Sequence, residues 1–171
     1  SDLFQQLHRL LPTLSVDLFA TRRNALLPVF LSPFPDKSAK AVDALSHPWD
    51  FQGILYAFPP TPLLTAVLQR IRTCARPVLL VAPAWPTQPW YSHLIEMSLT
   101  NALSLPLARF PLVQGHWTHP SPLIFRLHAW MLYGRDIDPE GIRLLLPSAW
   151  LDLAGLPQRR SMTARDRKSV V

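Results

Sequence analysis

The chain has 171 residues, 49% of them hydrophobic, and a formal net charge of +6. This length indicates one domain with an appendage, and the apolar content excludes wholesale disorder. The single cysteine, Cys74, excludes an internal disulfide framework. Because a proline or a charge interrupts every long apolar run and no signal-peptide pattern is present, we expect an intracellular protein without membrane contact.

The first fifty residues predict one helix and two short strands. Apolar residues recur at helical spacing up to about Leu11, and Pro12 ends that pattern. Two strand candidates follow, each with an aspartate near its carboxyl end: Leu14–Ala20 with Asp17, and Ala41–Ala44 with Asp43. The segment between them, Thr21–Lys40, has no sustained period and contains three prolines, which predicts an ordered loop.

The chain is arranged around a strand that ends in a double proline and is followed at once by a helix. Since proline cannot donate to a sheet ladder, the strand Ile54–Ala57 must stop at Phe58. Thr61 is predicted to cap a helix that begins at Pro62 and whose apolar face continues to Ile71. A strand that turns directly into a helix ends at the carboxyl edge of a sheet, where ligands bind in open α/β sheets.

The remaining elements follow with decreasing clarity. Val78–Ala82 is apolar at every position, which is typical of a central parallel strand buried on both faces. Trp90–Met97 predicts another helix. Beyond Leu99 the pattern is weaker and predicts two strands and a helix that Gly134 ends: Leu103–Leu107, Phe110–Val113 and Leu123–Tyr133. Ile142–Leu146 fits either a helix or a strand.

This order of elements predicts an α/β fold with a small, mostly parallel sheet and a less regular C-terminal extension. We place the α/β domain at residues 1–115 and a helical extension at 116–157. A basic tail, expected to be disordered, occupies 158–171 and holds five Lys or Arg against one acidic residue. The tail is either a solvated end or a region of non-specific contact with nucleic acid.

Two aspartates at strand ends are the candidate cofactor ligands. Asp17 and Asp43 occupy the positions from which such a sheet would bind a ribose or an amine. Alternatively, each caps a following turn or pairs with an arginine. No glycine-rich loop follows either strand, so a phosphate cradle is unsupported. We predict no metal site, because the closest histidine pair, His116 and His119, lacks a third ligand nearby.

An aromatic segment, Trp85–Tyr91, follows the apolar strand. It contains three aromatic side chains and two prolines, and a third proline, Pro83, lies just before it. Such a cluster serves as a rigid hydrophobic lid over a sheet edge, as a platform for a nucleobase or as a protein-binding surface. The pattern alone leaves these three uses open.

Val16–Pro28 reads VDLFATRRNALLP and resembles the "VDLFAS-x-x-N-x-x-LP" stretch that follows the ribonuclease H domain in retroelement polyproteins. These are chiefly DIRS-type and some gypsy-like elements. Four further stretches continue the resemblance in order: Asp36–Trp49, Ala57–Pro60, Pro83–Tyr91 and Leu127–Gly134. The resemblance implies that the chain is a module of a reverse transcriptase polyprotein. The polymerase and ribonuclease H would lie upstream, and neighbouring domains and nucleic acid would be its partners.

The same region is similar to phage-type DNA adenine methyltransferases, which implies a Rossmann or methyltransferase-like sheet. Those sequences carry "LD-x-x-A-S-x-x-N" on an early strand, which Asp17 and Asn24 match, while Asp43 falls on the cofactor side. The resemblance therefore implies these three residues as ligands of S-adenosylmethionine, if the chain binds that cofactor.

The catalytic "N-P-P-Y" tetrad of those enzymes is altered in this chain. Its position holds Phe58, Pro59, Pro60 and Thr61, so the two prolines remain and the first and last residues differ. In the tetrad, the first side chain accepts a hydrogen bond from the target amine and the aromatic ring stacks on the flipped base. Phe58 cannot accept that bond, and its loss removes an electrostatic contribution on the order of 3 kcal/mol; Thr61 has no ring.

The altered tetrad implies a scaffold without methyl transfer and without a cofactor. Two alternatives remain. The chain is an active S-adenosylmethionine-dependent DNA methyltransferase that uses altered residues, or it is a protein-interaction domain that binds through its aromatic segment.

We predict that any affinity for nucleic acid depends on the basic tail and is not sequence-specific. The side chains concerned are Arg159, Arg160, Arg165, Arg167 and Lys168. Because this stretch has little apolar content, it can reach phosphates but cannot hold a fixed register against base edges. On duplex DNA, log affinity should fall by about 0.9 per phosphate contact for each tenfold rise in salt.

The measurement is a salt titration of binding for the full chain and for a version that ends at Pro157. Equal affinities of the two proteins would show that the tail contributes nothing. Discrimination between DNA sequences would indicate the segment Trp85–Tyr91 instead.

Overall fold

A computed structural model of the chain describes residues 2–21, 25–33, 35–105, 113–114, 117–118 and 127–157. In these residues the strands and helices are, in order, α1 (Asp2–Leu10), β1 (Leu14–Asp17), β2 (Leu31–Ser32), β3 (Ala41–Val42), β4 (Ile54–Ala57), α2 (Leu64–Thr73), β5 (Val78–Pro83), α3 (Tyr91–Glu96), β6 (Leu103–Ser104), β7 (Val113–Gln114), β8 (Trp117–Thr118), β9 (Leu127–Leu132), α4 (Pro139–Leu145) and α5 (Ser148–Ala154). Two short 3₁₀ helices, Ala44–Ser46 and Thr61–Leu63, precede β4 and α2.

Five strands form the main sheet, in the order β1-β4-β5-β9-β6. β1, β4 and β5 are parallel, while β9 runs antiparallel between β5 and β6. The parallel pair β2-β3 lies beyond β1, which it joins through a parallel bridge between Asp17 and Phe30. The prediction of an α/β fold with a mostly parallel sheet is confirmed.

Helices cover both faces of the sheet. On one face, α2 packs through Leu64, Val67, Leu68 and Ile71, and α3 through Leu94. On the other face, α1 contributes Leu7 and α5 contributes Trp150, neither of which is exposed to solvent. All six residues of β5 are buried, as the unbroken apolar run predicted.

The predicted helix at Leu123–Tyr133 is wrong, because Leu127–Leu132 forms strand β9. Alternate residues of β9 face opposite clusters of the core, and only His128 of the six is polar, so the segment lacks a polar face. Such a run has no period that separates a buried strand from a buried helix. Pairing with β5 on one side and β6 on the other makes the segment a strand. The sheet therefore takes strands from both sides of the predicted boundary at residue 115.

Three smaller predictions also need correction. The loop predicted at Thr21–Lys40 contains strand β2. Thr61 does not cap a helix: it is exposed, it begins a 3₁₀ turn, and that turn has no side-chain cap. The ambiguous stretch Ile142–Leu146 lies largely in α4, and α5 was not predicted.

Gly134 lies where the chain leaves β9 and passes the end of α2. A Cβ atom there would come within 2.5 Å of the carbonyl oxygen of Ile71 and 2.7 Å of that of Arg72. Both oxygens belong to the backbone of a packed helix and cannot move aside easily. We expect Gly134→Ala to lower the free energy of unfolding by about 1–3 kcal/mol, as measured by urea denaturation.

Gly141→Ala is the matched control. A Cβ atom at Gly141 first meets a side-chain oxygen of Asp138, at 3.2 Å, and alanine is the better helix former. An equal loss of stability in the two variants would contradict the proposed clash at Gly134.

Candidate functional site

The carboxyl ends of β1, β4 and β5 lie side by side, because the three strands are parallel neighbours. Asp17 is the last residue of β1 and pairs in register with Tyr56 of β4. Phe58 follows β4 directly, as the double proline predicted. Asp17 and the tetrad position therefore belong to the same edge of the sheet.

Asp17 is buried and held by its own loop. The residue is 2% exposed. Its Oδ1 atom accepts a hydrogen bond from the backbone N–H of Phe19 at 3.4 Å, and its Oδ2 atom accepts one from Leu26 at 3.3 Å. Burial raises the pKa of the carboxyl group from 3.8 to about 6, although the two hydrogen bonds oppose that shift.

Tyr56 is a site residue that sequence reasoning missed. It is 3% exposed, and its pKa lies above the ordinary range because of burial and, secondly, because of the negative charge of Asp17. The phenol is therefore neutral at physiological pH. Its only signal in the sequence is a place in a predicted strand two residues before Phe58.

The tetrad position is a turn between β4 and the 3₁₀ helix that begins at Thr61. Phe58 is partly buried and packs against the same core cluster as Tyr56. Pro59 is buried, whereas Pro60 and Thr61 are exposed. Phe58, the first of the four residues, has no side-chain atom that can accept a hydrogen bond from an amine.

Asp43 caps a turn, which is the alternative that the sequence left open. It follows β3 and has a φ of 59°, in the left-handed region. Its Oδ1 atom accepts from the backbone N–H of Leu45 at 3.2 Å, and its Oδ2 atom accepts from the hydroxyl of Ser46 at 2.9 Å. Both oxygens thus stabilise the 3₁₀ helix that Asp43 begins.

Arg70 of α2, which sequence reasoning did not single out, links this 3₁₀ helix to α2 through hydrogen bonds. Its guanidinium donates to the carbonyl oxygens of Leu45 at 2.8 Å and His47 at 2.7 Å. It also lies 4.9 Å from the ring centre of Trp49, whose Nε1 donates to Ala44. A cleft of about 310 Å³ beside this cluster is lined by Pro48, Trp49, Asp50, Arg70, Thr73, Cys74 and Ala75.

The aromatic segment is largely a cover for the core. Trp90 is 6% exposed and lies 6.2 Å from the ring of the partly exposed Trp85. Tyr91 meets Trp130 of β9 edge-on at 5.8 Å. These contacts agree with the interpretation of the segment as a lid over the sheet. Because Trp90 is buried, it could not contribute to a protein-binding surface made of this segment.

Several residues named from the sequence lie outside the described residues. They are Asn24, His116, His119, Arg159, Arg160, Arg165, Arg167 and Lys168. Their proposed roles stay predictions. In the described parts of the chain, no group of three or more His, Cys, Asp or Glu side chains could hold a metal ion.

The described residues at the sheet edge do not fit S-adenosylmethionine. A ligand with amine and hydroxyl groups needs accessible acceptors, and Asp17 is enclosed with both oxygens already accepting from its own loop. The carboxylate of Asp43 caps its own turn, and Phe58 offers no polar side-chain atom. The geometry therefore favours a sheet edge closed by the chain itself.

No protein-family model matches the chain, and no curated protein matches it significantly. Among the helices of the described residues, none has the length and apolar character needed to span a membrane.

The raised pKa of Asp17 predicts a specific pH dependence of stability. A carboxyl group whose pKa is higher in the folded than in the unfolded state contributes stability when protonated and loses it as pH rises. With a shift from 3.8 to about 6, the free energy of unfolding should fall between pH 4 and 7. The expected fall is about 3 kcal/mol, at 1.36 kcal/mol per pKa unit. Urea denaturation across this range measures it.

The control is Asp17→Asn, which cannot titrate. The difference in free energy of unfolding between wild type and this variant should change through that window, whatever other groups contribute. A difference that is constant with pH would show that Asp17 has an ordinary pKa.

Proposed function

We propose that this chain is a non-catalytic, methyltransferase-like module of a retroelement polyprotein that contains reverse transcriptase and ribonuclease H. In that role it is a scaffold beside the polymerase and ribonuclease H domains and near their nucleic acid. The observation that carries the proposal is the altered tetrad at the end of β4: the turn and its prolines are present next to Asp17, but the hydrogen-bond acceptor at Phe58 is not.

The strand order supports the methyltransferase-like part of the proposal. The separate pair β2-β3 lies beyond β1, where one isolated bridge joins Asp17 to Phe30, and antiparallel β9 lies between β5 and β6. The resemblance to methyltransferases implies a small, mostly parallel sheet with helices against it, and the observed sheet agrees with that expectation. In its described residues, the connection from β1 to β2 contains no helix whose N-terminus could hold a cofactor.

The side chains described at this sheet edge support the non-catalytic part of the proposal. Methyl transfer to an amine needs an acceptor that orients the amine and stabilises the positive charge that develops on it. Phe58 cannot supply that acceptor, and Asp17 is enclosed by Phe19 and Leu26. The polymerase and nuclease activities of the parent polyprotein would belong to its other domains.

We predict that the purified chain transfers no methyl group from labelled S-adenosylmethionine to duplex or single-stranded DNA. Counts incorporated into DNA should equal those of a blank without protein, and Asp17→Ala should behave like wild type. An active DNA adenine methyltransferase assayed in parallel shows that the conditions permit the reaction.

Methylation by wild type that Asp17→Ala abolishes would establish the alternative of an active enzyme. The retroelement origin is tested separately, by the coding sequence upstream of Ser1. An upstream reading frame without a ribonuclease H domain would contradict the origin while leaving the non-catalytic assignment intact.

A further inference from the structure

The loop after β1 is bonded to the sheet on both sides of Asp17. The backbone N–H of Asp17 donates to Val29, and that of Leu18 donates to Tyr56. Further along, Ala20 donates to Leu31. The backbone on either side of the carboxylate is therefore part of the sheet's hydrogen-bond network.

The same loop then turns back over the carboxylate. The N–H of Ala25 donates to the carbonyl oxygen of Thr21 at 2.8 Å, which closes a turn and brings the N–H of Leu26 to Oδ2 of Asp17. Leu27 is buried and Leu26 partly buried in the core cluster that also holds Tyr56 and Phe58. These side chains fix the position of the Leu26 N–H and surround the carboxylate with apolar groups.

We propose that this site is occupied by the chain itself: the backbone N–H groups of Phe19 and Leu26 are the permanent ligands of Asp17, in place of a cofactor. The proposal rests on the methyltransferase-like interpretation of the sheet edge, but not on a retroelement origin. Asp17 is then a positioning residue that holds its own loop against the ends of β1 and β4.

Because Asp17 is 2% exposed, an external ligand could reach its carboxylate only if the covering loop moved aside. Moving the loop would cost the partly buried N–H of Leu26 its acceptor and would pull Leu26 and Leu27 from their apolar contacts, both of which are unfavourable. An amine or hydroxyl of the ligand could replace one hydrogen bond but not the apolar packing. The self-bonded arrangement is therefore the more stable one.

The test uses amide proton resonances of the full chain, measured by NMR as a function of pH. A carboxylate that accepts from two amides shifts both resonances when it titrates. The amides of Phe19 and Leu26 should follow one transition with a midpoint near 6, the pKa to which burial raises Asp17. Tyr56, the titratable side chain facing Asp17 from β4, stays neutral throughout because its pKa lies far higher.

Two variants separate the proposed contact from general effects of pH. Asp17→Asn should abolish the shared transition at residues 19 and 26. Asp43→Asn is the matched control, because its exposed carboxylate accepts from Leu45 and should leave residues 19 and 26 unchanged. If Asp17→Asn does not fold, the wild-type titration still decides: absence of a shared transition overturns the proposal.

Addition of millimolar S-adenosylmethionine to wild type completes the test. The proposal expects the resonances of Phe19 and Leu26 not to move. Saturable shifts of both would show that the cofactor displaces the loop, and would overturn the closed site. Such binding without methyl transfer to DNA would overturn this inference alone, whereas methyl transfer would overturn the proposed function as well.

Discussion

The structure depends on the complete burial of β5 between two strands of opposite direction. β4 pairs with it in parallel and β9 pairs with it antiparallel along its whole length. A strand buried on both faces must have its backbone hydrogen bonds satisfied by its neighbours, since water cannot reach it. This requirement places β4 beside β5, and pairing with β1 on its other side makes β4 an internal strand of the sheet.

The edge above β4 shows how burial and hydrogen bonding compete at one carboxylate. Two backbone donors favour the charged form of Asp17, but the loss of hydration outweighs them and raises its pKa. At neutral pH the buried carboxylate therefore lowers the stability of the fold, while its two hydrogen bonds hold the loop that covers it.

The site could be anticipated only in part. Asp17 and the turn at Phe58 followed from a strand candidate with an aspartate near its carboxyl end and from an apolar run ended by prolines, which are local signals. The strand itself is shorter than predicted and ends at Asp17. Asp43 was correctly given turn capping as an alternative, because its partners lie only two and three residues away. Tyr56 and Arg70 were missed, because Asp17 acts on Tyr56 across the sheet and Arg70 reaches carbonyl groups 23 and 25 residues distant.

By itself, the sequence determined the α/β class, the burial of β5 and the end of β4, because proline and unbroken apolar runs act through the local backbone. Tertiary structure decided that Leu127–Leu132 is a strand. Its nearly unbroken apolar run is equally compatible with a buried helix until β5 and β6 supply hydrogen-bond partners. Tertiary structure also decided the burial and hydrogen bonding of Asp17. Its carboxylate accepts from Phe19 and Leu26 only because the loop after β1 folds back, and residue spacing does not encode that path.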